Sequence, residues 1–406
     1  MKRILCALLT LALMASCFAG FAVAEEKTTI NFYIASDMEA NAIPIVEQYN
    51  AKQDAVHVEL VTIPNDDYDD KMKTLTAGGS DIDAMWVRTP AQAKNYMAND
   101  VLENLAPYAA ASGLDLSPIE ANIQAVSDAE GGFYGLPVSG SCWMLFYNKD
   151  LFDAKGLEYP INLTWDEYAD LCKELTYDED GTHYWGGLNP NWTPNLGAIP
   201  TGEYLDAEEL PNTRKYEEIL HRLYVEDKSM PSIAEMSTGT FDVNAYFANG
   251  NIYTMINGDW TLRLLEADFT WAAAPLPMLS AEYEEHSCGH ASVISVASSS
   301  THKQEAYDFV QFYTTSPEAT SVIAGNGEVP SYATEEAMKV YQESVTIDGV
   351  NYRFSSQILA EQGTAPYYAD ILSAFAEEFQ LYLLDEQSID EAFDNYFALR
   401  EEIMND

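Results

Sequence analysis

The amino-terminal part of the chain alternates short apolar runs with amphipathic stretches. Residues 28–35, 56–63 and 82–87 have the length and the β-branched and aromatic content of strands. The stretches 40–52 and 66–77 between them repeat apolar residues at the spacing of a helix. This order predicts a parallel α/β sheet, in which ligands bind at the carboxyl ends of the strands.

Polar and aromatic residues lie on or directly after these strands, at the edge where a ligand is expected. The candidates are Tyr33, Asp37, Glu39, Trp86 and Arg88. Carboxylate, guanidinium and aromatic groups together suit a ligand that offers both hydroxyls and an apolar face. Arg88 has a simpler alternative role, because it could neutralise an acidic neighbour such as Asp83.

A break of small residues interrupts the apolar segment 133–148. Ser139, Gly140 and Ser141 separate two runs that each have the composition of a strand. A strand that stops at small residues and then resumes predicts a passage from one domain into the next. The chain of 406 residues also exceeds what one hydrophobic core usually holds, so two domains are expected.

The pattern beyond this break predicts further strands and helices. Thr164 and Glu167 have the spacing of a capping box, which predicts the start of a helix. Residues 252–256 form a predicted strand that ends in Asn-Gly-Asp-Trp (257–260), which adds Asp259 and Trp260 to the candidates. An aromatic, Gly- and Asn-rich loop over 184–192 adds Trp185 and Trp192.

The amino terminus has the form of a targeting segment. Lys2 and Arg3 precede an uncharged apolar stretch over 4–21, and residues 22–24 (AVA) have the form of a signal-peptidase site. This pattern predicts a signal peptide over 1–24 and a folded part outside the cytoplasm. Residues 13–17 (LMASC) allow a second interpretation, a lipoprotein signal in which Cys17 becomes the lipid-anchored residue.

The composition of the chain is strongly acidic. It contains 20 Lys and Arg against 65 Asp and Glu, which gives a formal net charge of −45. Such a charge repels nucleic acid and anionic membrane surfaces, and it suits neutral or cationic ligands. Apolar residues make up 47% of the chain, which indicates packed globular structure.

The sequence gives little support to an enzyme or a metal protein. It contains no GxSxG, HExxH or Walker-type loop, so we expect a binding protein without a cofactor. His286, Cys288 and His290 alternate, and on a strand they would share one face, as metal ligands must. A fourth ligand is not evident, so a metal site stays an alternative and is not the prediction.

Several segments resemble one family when they are taken together and in order. They are TIPNDDYDDKM (62–72), IDAMWV (82–87), GLPVSGSCWMLFYNKDLF (135–152), TWDEYADLCKELT (164–176), NGDW (257–260), PLP (275–277), the small-residue segment 289–292 and the Gly-x-x-Pro break 327–330. The chain resembles the extracellular solute-binding proteins of ABC importers, in the group with maltose-binding protein and other carbohydrate receptors. The resemblance covers nearly all of the chain after residue 24.

The resemblance implies an α/β protein with two lobes, each a mixed sheet flanked by helices, and three inter-lobe crossings. The expected division is a signal peptide (1–24), a first lobe (25–139 and 291–327) and a second lobe (140–290 and 328–406). The residues expected to absorb the hinge rotation are Ser139, Gly140, Gly289, Ala291 and Gly327. The cleft between the lobes would hold the ligand.

The resemblance also implies the function and the principal contacts. A monomeric extracytoplasmic receptor would capture a sugar or oligosaccharide and deliver it to membrane permease subunits. Trp86 and Trp260 are the expected stacking rings, and Arg88 and Asp259 are the expected polar contacts. His290 and Glu328, at the second and third crossings, complete the candidate set.

Two departures from the family pattern leave the ligand open. Tyr33 stands where many relatives have Trp, and His290 stands where a second Gly is common. Aromatic boxes with carboxylates also hold amines, so a receptor for polyamines or other small cations is the alternative function.

Overall fold

A computed structural model describes residues 27–238 and 241–405 of the chain. The predicted signal peptide and Cys17 lie outside these residues. Within them, none of the helices combines the length and the apolar character needed to cross a membrane.

The strands have the following bounds in chain order. They are β1 (Thr28–Ala35), β2 (Val56–Ile63), β3 (Ala84–Val87), β4 (Leu136–Gly140), β5 (Trp143–Asn148), β6 (Tyr177–Glu179), β7 (Thr182–Tyr184), β8 (Thr254–Gly258), β9 (Trp271–Pro275), β10 (His286–Gly289), β11 (Ala291–Val296), β12 (Val329–Pro330) and β13 (Gln357–Ala360). The bounds of β1 and β2 agree with the prediction from the alternating pattern.

Helices connect and cover these strands. The α-helices are Glu39–Lys52, Tyr68–Ala77, Pro90–Ala98, Ala106–Ser112, Glu120–Gln124, Lys149–Lys155, Trp165–Glu174, Pro211–His221, Ile233–Met236, Val243–Ala248, Thr261–Leu264, Lys303–Thr315, Pro317–Gly325, Glu335–Ser344, Tyr352–Ser355, Tyr368–Leu383 and Ile389–Asn405. The predicted capping box is confirmed, because the Thr164 side chain accepts from the Glu167 N–H and the Glu167 side chain accepts from the Thr164 N–H.

The first sheet has six strands in the order β12-β4-β11-β3-β1-β2. β1 pairs in parallel with both β2 and β3, as the strand–helix order predicts. β11 pairs antiparallel with β3 and β4, so the sheet is mixed. The carboxyl ends of β1 and β3 lie side by side, and this places the residues after Ala35 and after Val87 at one edge.

The second sheet is antiparallel, in the order β8-β5-β9. Trp143 at the start of β5 pairs with Gly258 at the end of β8. A separate two-stranded sheet pairs β10 with β13 in parallel. The ends of β8, β10 and β13 therefore lead to Trp260, His290 and Glu361, respectively.

Two separate apolar cores underlie the two sheets. Phe32 and Phe309 belong to the first core, and Trp165 and Tyr253 belong to the second. The chain leaves the first sheet after Gly140, returns to it at Ala291 and leaves it again after Pro330. This is the two-lobed α/β arrangement with three crossings that the sequence predicts.

The position of the third crossing differs from the predicted boundary. Val329 and Pro330 pair with Gly140 and Ser139 of β4, so these two residues extend the first sheet. The sequence assigned them to the second lobe, because a Gly-x-x-Pro break has no side-chain pattern that reveals strand pairing. Gly140, which was also assigned to the second lobe, is likewise paired in the first sheet as the last residue of β4. The other lobe boundaries stay predictions.

Glu217 is a buried carboxyl in the second lobe, and we expect it to make stability fall as pH rises. Both of its carboxylate oxygens lack a hydrogen-bond partner among the described residues, and burial raises its pKa well above the usual value. The folded state therefore holds a proton that the unfolded state releases above about pH 4.3. The stability that this proton gives is complete below that pH and is lost as pH rises through the folded-state pKa.

Replacing Glu217 with Gln should remove this loss. Between the unfolded-state and folded-state pKa values of Glu217, the free energy of unfolding of the variant should exceed that of the wild type by about 1.4 kcal/mol more for each pH unit. Near pH 4 the two proteins should be equally stable. Urea unfolding at several pH values measures the difference. Glu218→Gln is the matched control, since Glu218 is exposed on the same helix; an equal gain in both variants would contradict the burial argument.

Candidate functional site

Charged and aromatic side chains lie together at the edge of the first sheet. They come from the ends of β1 and β3 and from the segment between these strands. Arg88 follows β3 by one residue, and its guanidinium lies 4.8 Å from the ring centroid of Trp86. Arg88 Nη1 donates to Asn65 Oδ1 at 3.1 Å and lies 4.0 Å from Asp37 Oδ2. The predicted proximity of Asp37, Trp86 and Arg88 is therefore present.

The alternative role of Arg88 as a partner of Asp83 is not observed. Asp83 is buried and accepts the backbone N–H of Asn31 at 2.9 Å and the hydroxyl of Ser300. The acidic side chains beside Arg88 are instead Asp37 and Asp69, and Arg88 Nε lies 3.3 Å from Asp69 Oδ2.

Three polar atoms at this edge are buried without a hydrogen-bond partner among the described residues. They are Asp37 Oδ1, Trp86 Nε1 and Arg88 Nε, and the last of these has the charge of Asp69 beside it. Burial raises the pKa of Asp37, whereas the nearby Arg88 and Arg263 act to lower it. Since unpartnered buried polar atoms cost free energy, an acceptor and a donor here are suited to groups of a bound ligand.

Arg263 joins this edge to the second lobe, and no pattern in the sequence singles it out. It lies on the short helix that follows Trp260, and its Nη1 donates to the carbonyl of Asp37. Its Nε donates to Glu328 Oε1 at 2.7 Å, and the Glu328 carboxylate also accepts from Asn41 and Ser139. The predicted site residue Glu328 is therefore the partner of an inter-lobe arginine.

A cavity lies beside this arginine. Its volume is ≈ 350 Å³, and it is lined by parts of both lobes, among them Ala40, Arg263, Trp271 and Asn326. Space between the lobes therefore continues past Arg263 toward the third crossing.

Three indole rings meet at the end of the second sheet that faces the crossings. Trp260 packs edge-on against Trp143 with the ring centroids 5.2 Å apart, and Trp192 lies 6.4 Å from Trp143. Trp143 is fully buried, Trp260 is half-buried and Trp192 is 47% exposed. We name Trp143, Trp192 and Trp260 the aromatic cluster.

The Trp260 ring is fixed by its own strand. A Cβ atom on Gly258 would lie 2.0 Å from Trp260 Cζ3, so only glycine allows the indole to fold back over the end of β8. The sequence Asn-Gly-Asp-Trp therefore combines a strand end, a residue without a side chain and the ring that covers it.

The carboxylate of Asp259, which is predicted to contact a ligand, has partners within the chain. It is buried and forms an ion pair with Arg353, whose side chain is 5% exposed. Its Oδ1 also accepts the backbone N–H of Cys142 at 3.1 Å. These contacts occupy the carboxylate, so Asp259 supports the first crossing.

His290 belongs to a polar network and not to a metal site. Its Nδ1 lies 2.9 Å from Glu361 Oε2. Cys288 is buried in the core of the second lobe, and His286 Nδ1 lies 3.0 Å from the carbonyl of Glu284. In the described ranges no three His, Cys, Asp or Glu side chains are placed to hold a metal ion together.

The remaining predicted residues do not join these groups. Trp185 forms a β-bridge with Ile252, which precedes Gly258 by six residues. At about 3.3 Å per residue of strand, this bridge lies about 20 Å from Gly258. The pKa of Tyr33 is raised by burial and by Asp81, Asp83 and Glu59, none of which belongs to the ligand edge. Glu39 is half-buried at the start of its helix, and its side chain has no hydrogen bond or ion pair with the residues that the structure describes.

Comparison with known proteins identifies the family. Residues 44–348 match the family described as bacterial extracellular solute-binding protein. The chain belongs to this family. Membership confirms the prediction of an extracytoplasmic binding protein and not an enzyme.

The curated relative that is compared shares low sequence identity with the chain. The chain is 24% identical over 302 residues to the maltotriose-binding protein of Pyrococcus abyssi, a match that covers 69% of this chain and 60% of that protein. The chain therefore spans less than two thirds of the length of this curated relative.

Solved structures share the fold over nearly their whole length. An ABC substrate-binding protein from Listeria monocytogenes in complex with cycloalternan has a TM-score of 0.85 at 24% identity, covering 93% of this chain and 99% of that one. A maltose-bound protein of T. maritima has a TM-score of 0.75 at 16% identity, with the same two coverages. The two-lobed fold expected from the sequence is confirmed by these neighbours.

Proposed function

We propose that this protein captures a sugar or oligosaccharide in the cleft between its lobes and delivers it to the permease of an ABC importer. The observation that carries the proposal is the pair of buried, unpartnered atoms Asp37 Oδ1 and Trp86 Nε1 at the edge that also holds Arg88. A sugar hydroxyl can both donate and accept, so sugar hydroxyls can pair with an acceptor such as Asp37 Oδ1 and with a donor such as Trp86 Nε1.

The aromatic cluster supplies the complementary half of such a site. The C–H face of a sugar ring is apolar and packs on indole rings, while its hydroxyls need the polar atoms of the first lobe. Trp192 is 47% exposed, which leaves its ring available to a ligand. Polar groups on one lobe and ring faces on the other suit a polyhydroxylated ring.

The charges of the site disfavour the polyamine alternative. Three carboxylates of the second lobe and the crossings already have a cationic or imidazole partner, since Asp259 pairs with Arg353, Glu328 with Arg263 and Glu361 with His290. Arg88 and Arg263 also act on Asp37. A polyamine would need free carboxylates, whereas a neutral sugar would not disturb these pairs.

The relatives support the same ligand class. Maltotriose, cycloalternan and maltose are named for the three compared proteins. We infer that closure of the lobes around the sugar presents the complex to the permease, and that ligand shifts the population toward the form in which both lobes contact it. A monomeric receptor that is exported by a signal peptide over 1–24 belongs to the proposal, and a lipid anchor at Cys17 is the alternative to that cleavage.

Thermal stabilisation tests the ligand class directly. The protein should melt at a higher temperature with maltotriose or another oligosaccharide. At a ligand concentration 100 times Kd, binding should add about 2.7 kcal/mol to the free energy of unfolding. Spermidine and putrescine at the same concentrations are the comparison. Stabilisation by the amines alone would overturn the sugar proposal.

Replacement of Trp260 with Ala should weaken the binding of the stabilising sugar by about 1–3 kcal/mol, because a stacked ring loses its platform. Isothermal calorimetry on the folded variant measures the change. Trp185→Ala is the matched control, since Trp185 is half-buried in the second lobe but lies outside the aromatic cluster. Unchanged affinity in the Trp260 variant would remove this ring from the site.

A further inference from the structure

Glu361 lies where four distant segments of the chain meet. It directly follows β13, and His290 directly follows the parallel neighbour β10. The backbone N–H of Glu361 donates to the carbonyl of Gly289 at 2.9 Å, which fixes its place beside this strand end. The sequence around residue 361 carries no feature that marks it as important.

The carboxylate of Glu361 is saturated by its neighbours. Its Oε2 accepts Trp143 Nε1 at 2.9 Å and lies 2.9 Å from His290 Nδ1, and its Oε1 accepts the Thr193 hydroxyl at 3.1 Å. The residue is 5% exposed. Burial acts to raise its pKa, but His290 and the two other donors outweigh burial, so the pKa lies below the usual value.

Each of these neighbours leads to the aromatic cluster. Trp143 is the central ring of the cluster, in contact with both Trp260 and Trp192. Thr193 is the residue after Trp192, so its hydrogen bond fixes the loop that presents the exposed ring. One carboxylate thus controls the tilt of Trp143 and the position of the Trp192 loop.

We propose that Glu361 is a positioning residue of the ligand site, which sets the orientation of the aromatic cluster without touching the ligand. The inference rests on the proposed function, because the cluster is its ligand platform. The proposal assigns a role in binding to a buried residue about 100 positions after Trp260, a role that differs from general support of the fold.

Two substitutions separate the hydrogen bonds of Glu361 from its charge. In Glu361→Gln the amide oxygen can accept from Trp143 and His290, and the amide N–H can donate to Thr193. Glu361→Ala removes all three bonds. Asp83→Ala is the matched control, since Asp83 is a buried carboxylate of the first lobe that also accepts two donors.

Near-ultraviolet circular dichroism of the ligand-free protein is the first readout, since the coupled indoles of Trp143 and Trp260 give a signal that depends on their mutual orientation. We expect the wild-type spectrum in the Gln variant and a changed tryptophan contribution to the spectrum in the Ala variant. The Asp83 control should melt at a lower temperature with the signal unchanged. An unchanged signal in folded Glu361→Ala would overturn the proposal.

Affinity for maltotriose, measured well below the melting temperature, is the second readout. We expect a loss of at least tenfold in the Ala variant and less than threefold in the Gln variant. A lower melting temperature with wild-type affinity would show a merely structural role and would also overturn the proposal. If the wild type does not bind maltotriose, the choice of sugar fails, and the dichroism comparison still decides the role of Glu361.

Thr193→Val covers the case in which Glu361→Ala does not fold. It removes only the hydroxyl that anchors the Trp192 loop to Glu361. We expect a severalfold loss of maltotriose affinity and a change in the near-ultraviolet signal. Wild-type values of both would count against positioning by Glu361.

Discussion

Replacement of Arg353 with Met should lower the free energy of unfolding by about 3–5 kcal/mol, the cost of leaving a buried charge without its partner. The partner is Asp259; the two side chains are 5% and 6% exposed and in direct contact. Arg353 Nη2 also donates to the carbonyl of Gly140 at 3.0 Å, so the substitution removes a bond to the first crossing as well.

The charge of Arg353 is present at neutral pH in spite of its burial. Burial lowers the pKa of Arg353 to about 10, which still leaves the guanidinium protonated. In Arg353→Met the Asp259 carboxylate keeps only the N–H of Cys142 as a donor. The loss is therefore expected to come mainly from the unpaired Asp259.

The urea midpoint of unfolding measures this effect, and two further variants test its origin. Addition of Asp259→Asn to Arg353→Met should recover part of the loss, because it removes the unpaired charge. Lys339→Met is the exposed control, since Lys339 and Glu343 pair at the surface, and it should change stability by less than about 0.5 kcal/mol. Equal effects of the Arg353 and Lys339 substitutions would refute the argument from burial.

Local patterns account for the parts of the fold that the sequence predicted well. β1 and β2 alternate apolar and polar residues, and the helix after Thr164 has its capping box within four residues. The break of small residues at 139–141 is likewise visible in one short segment. Such signals are complete within a few positions, so they can be recognised before the fold is known.

Contacts between distant residues account for the predictions that the structure changed. Asp259 was expected to face a ligand, but its partner Arg353 lies 94 residues further along the chain. Trp185 shares the composition of a sugar-binding loop, yet strand pairing with Ile252 places it away from the cluster. Glu361 and Arg263 were missed for the same reason, because each acts through partners in other segments.

Trp143 shows why burial alone is a poor guide to function. The residue is fully buried in the core of the second lobe. Its ring nonetheless contacts both half-exposed indoles of the site, and its N–H reaches Glu361. The identity of a core residue follows from its composition, but its partners follow only from the assembled fold.

Arg263 makes the inter-lobe contact that we expect to govern the balance between lobe arrangements. It belongs to the second lobe, whereas Asp37 and Asn41 belong to the first and Glu328 precedes β12 of the first sheet. The side chains of Arg263 and Glu328 are 7% and 11% exposed, so water screens their attraction weakly. The pair of Arg263 and Glu328 therefore stabilises the lobe arrangement seen here. It does not stabilise an arrangement in which these two side chains are apart.

Replacement of Arg263 with Met should therefore weaken sugar binding by about 10- to 100-fold, which corresponds to about 1.4–2.8 kcal/mol. The cause is a smaller population of the binding-competent arrangement, so small-angle scattering of the ligand-free variant should show a larger radius of gyration than that of the wild type. Saturating sugar should restore the wild-type radius, because ligand binding favours the same arrangement.

A second substitution separates the position of the lobes from the stability of the fold. In Arg263→Met the Glu328 carboxylate stays buried with only Asn41 and Ser139 as donors, so this variant should also unfold at lower urea. Adding Glu328→Gln should recover stability, since it removes the unpaired charge, but should not recover affinity, since the lobes are still unlinked. Recovery of both stability and affinity in the double variant would mean that the Arg263–Glu328 pair acts on folding alone. An unchanged radius of gyration with unchanged affinity in Arg263→Met would show that the lobe arrangement does not depend on Arg263.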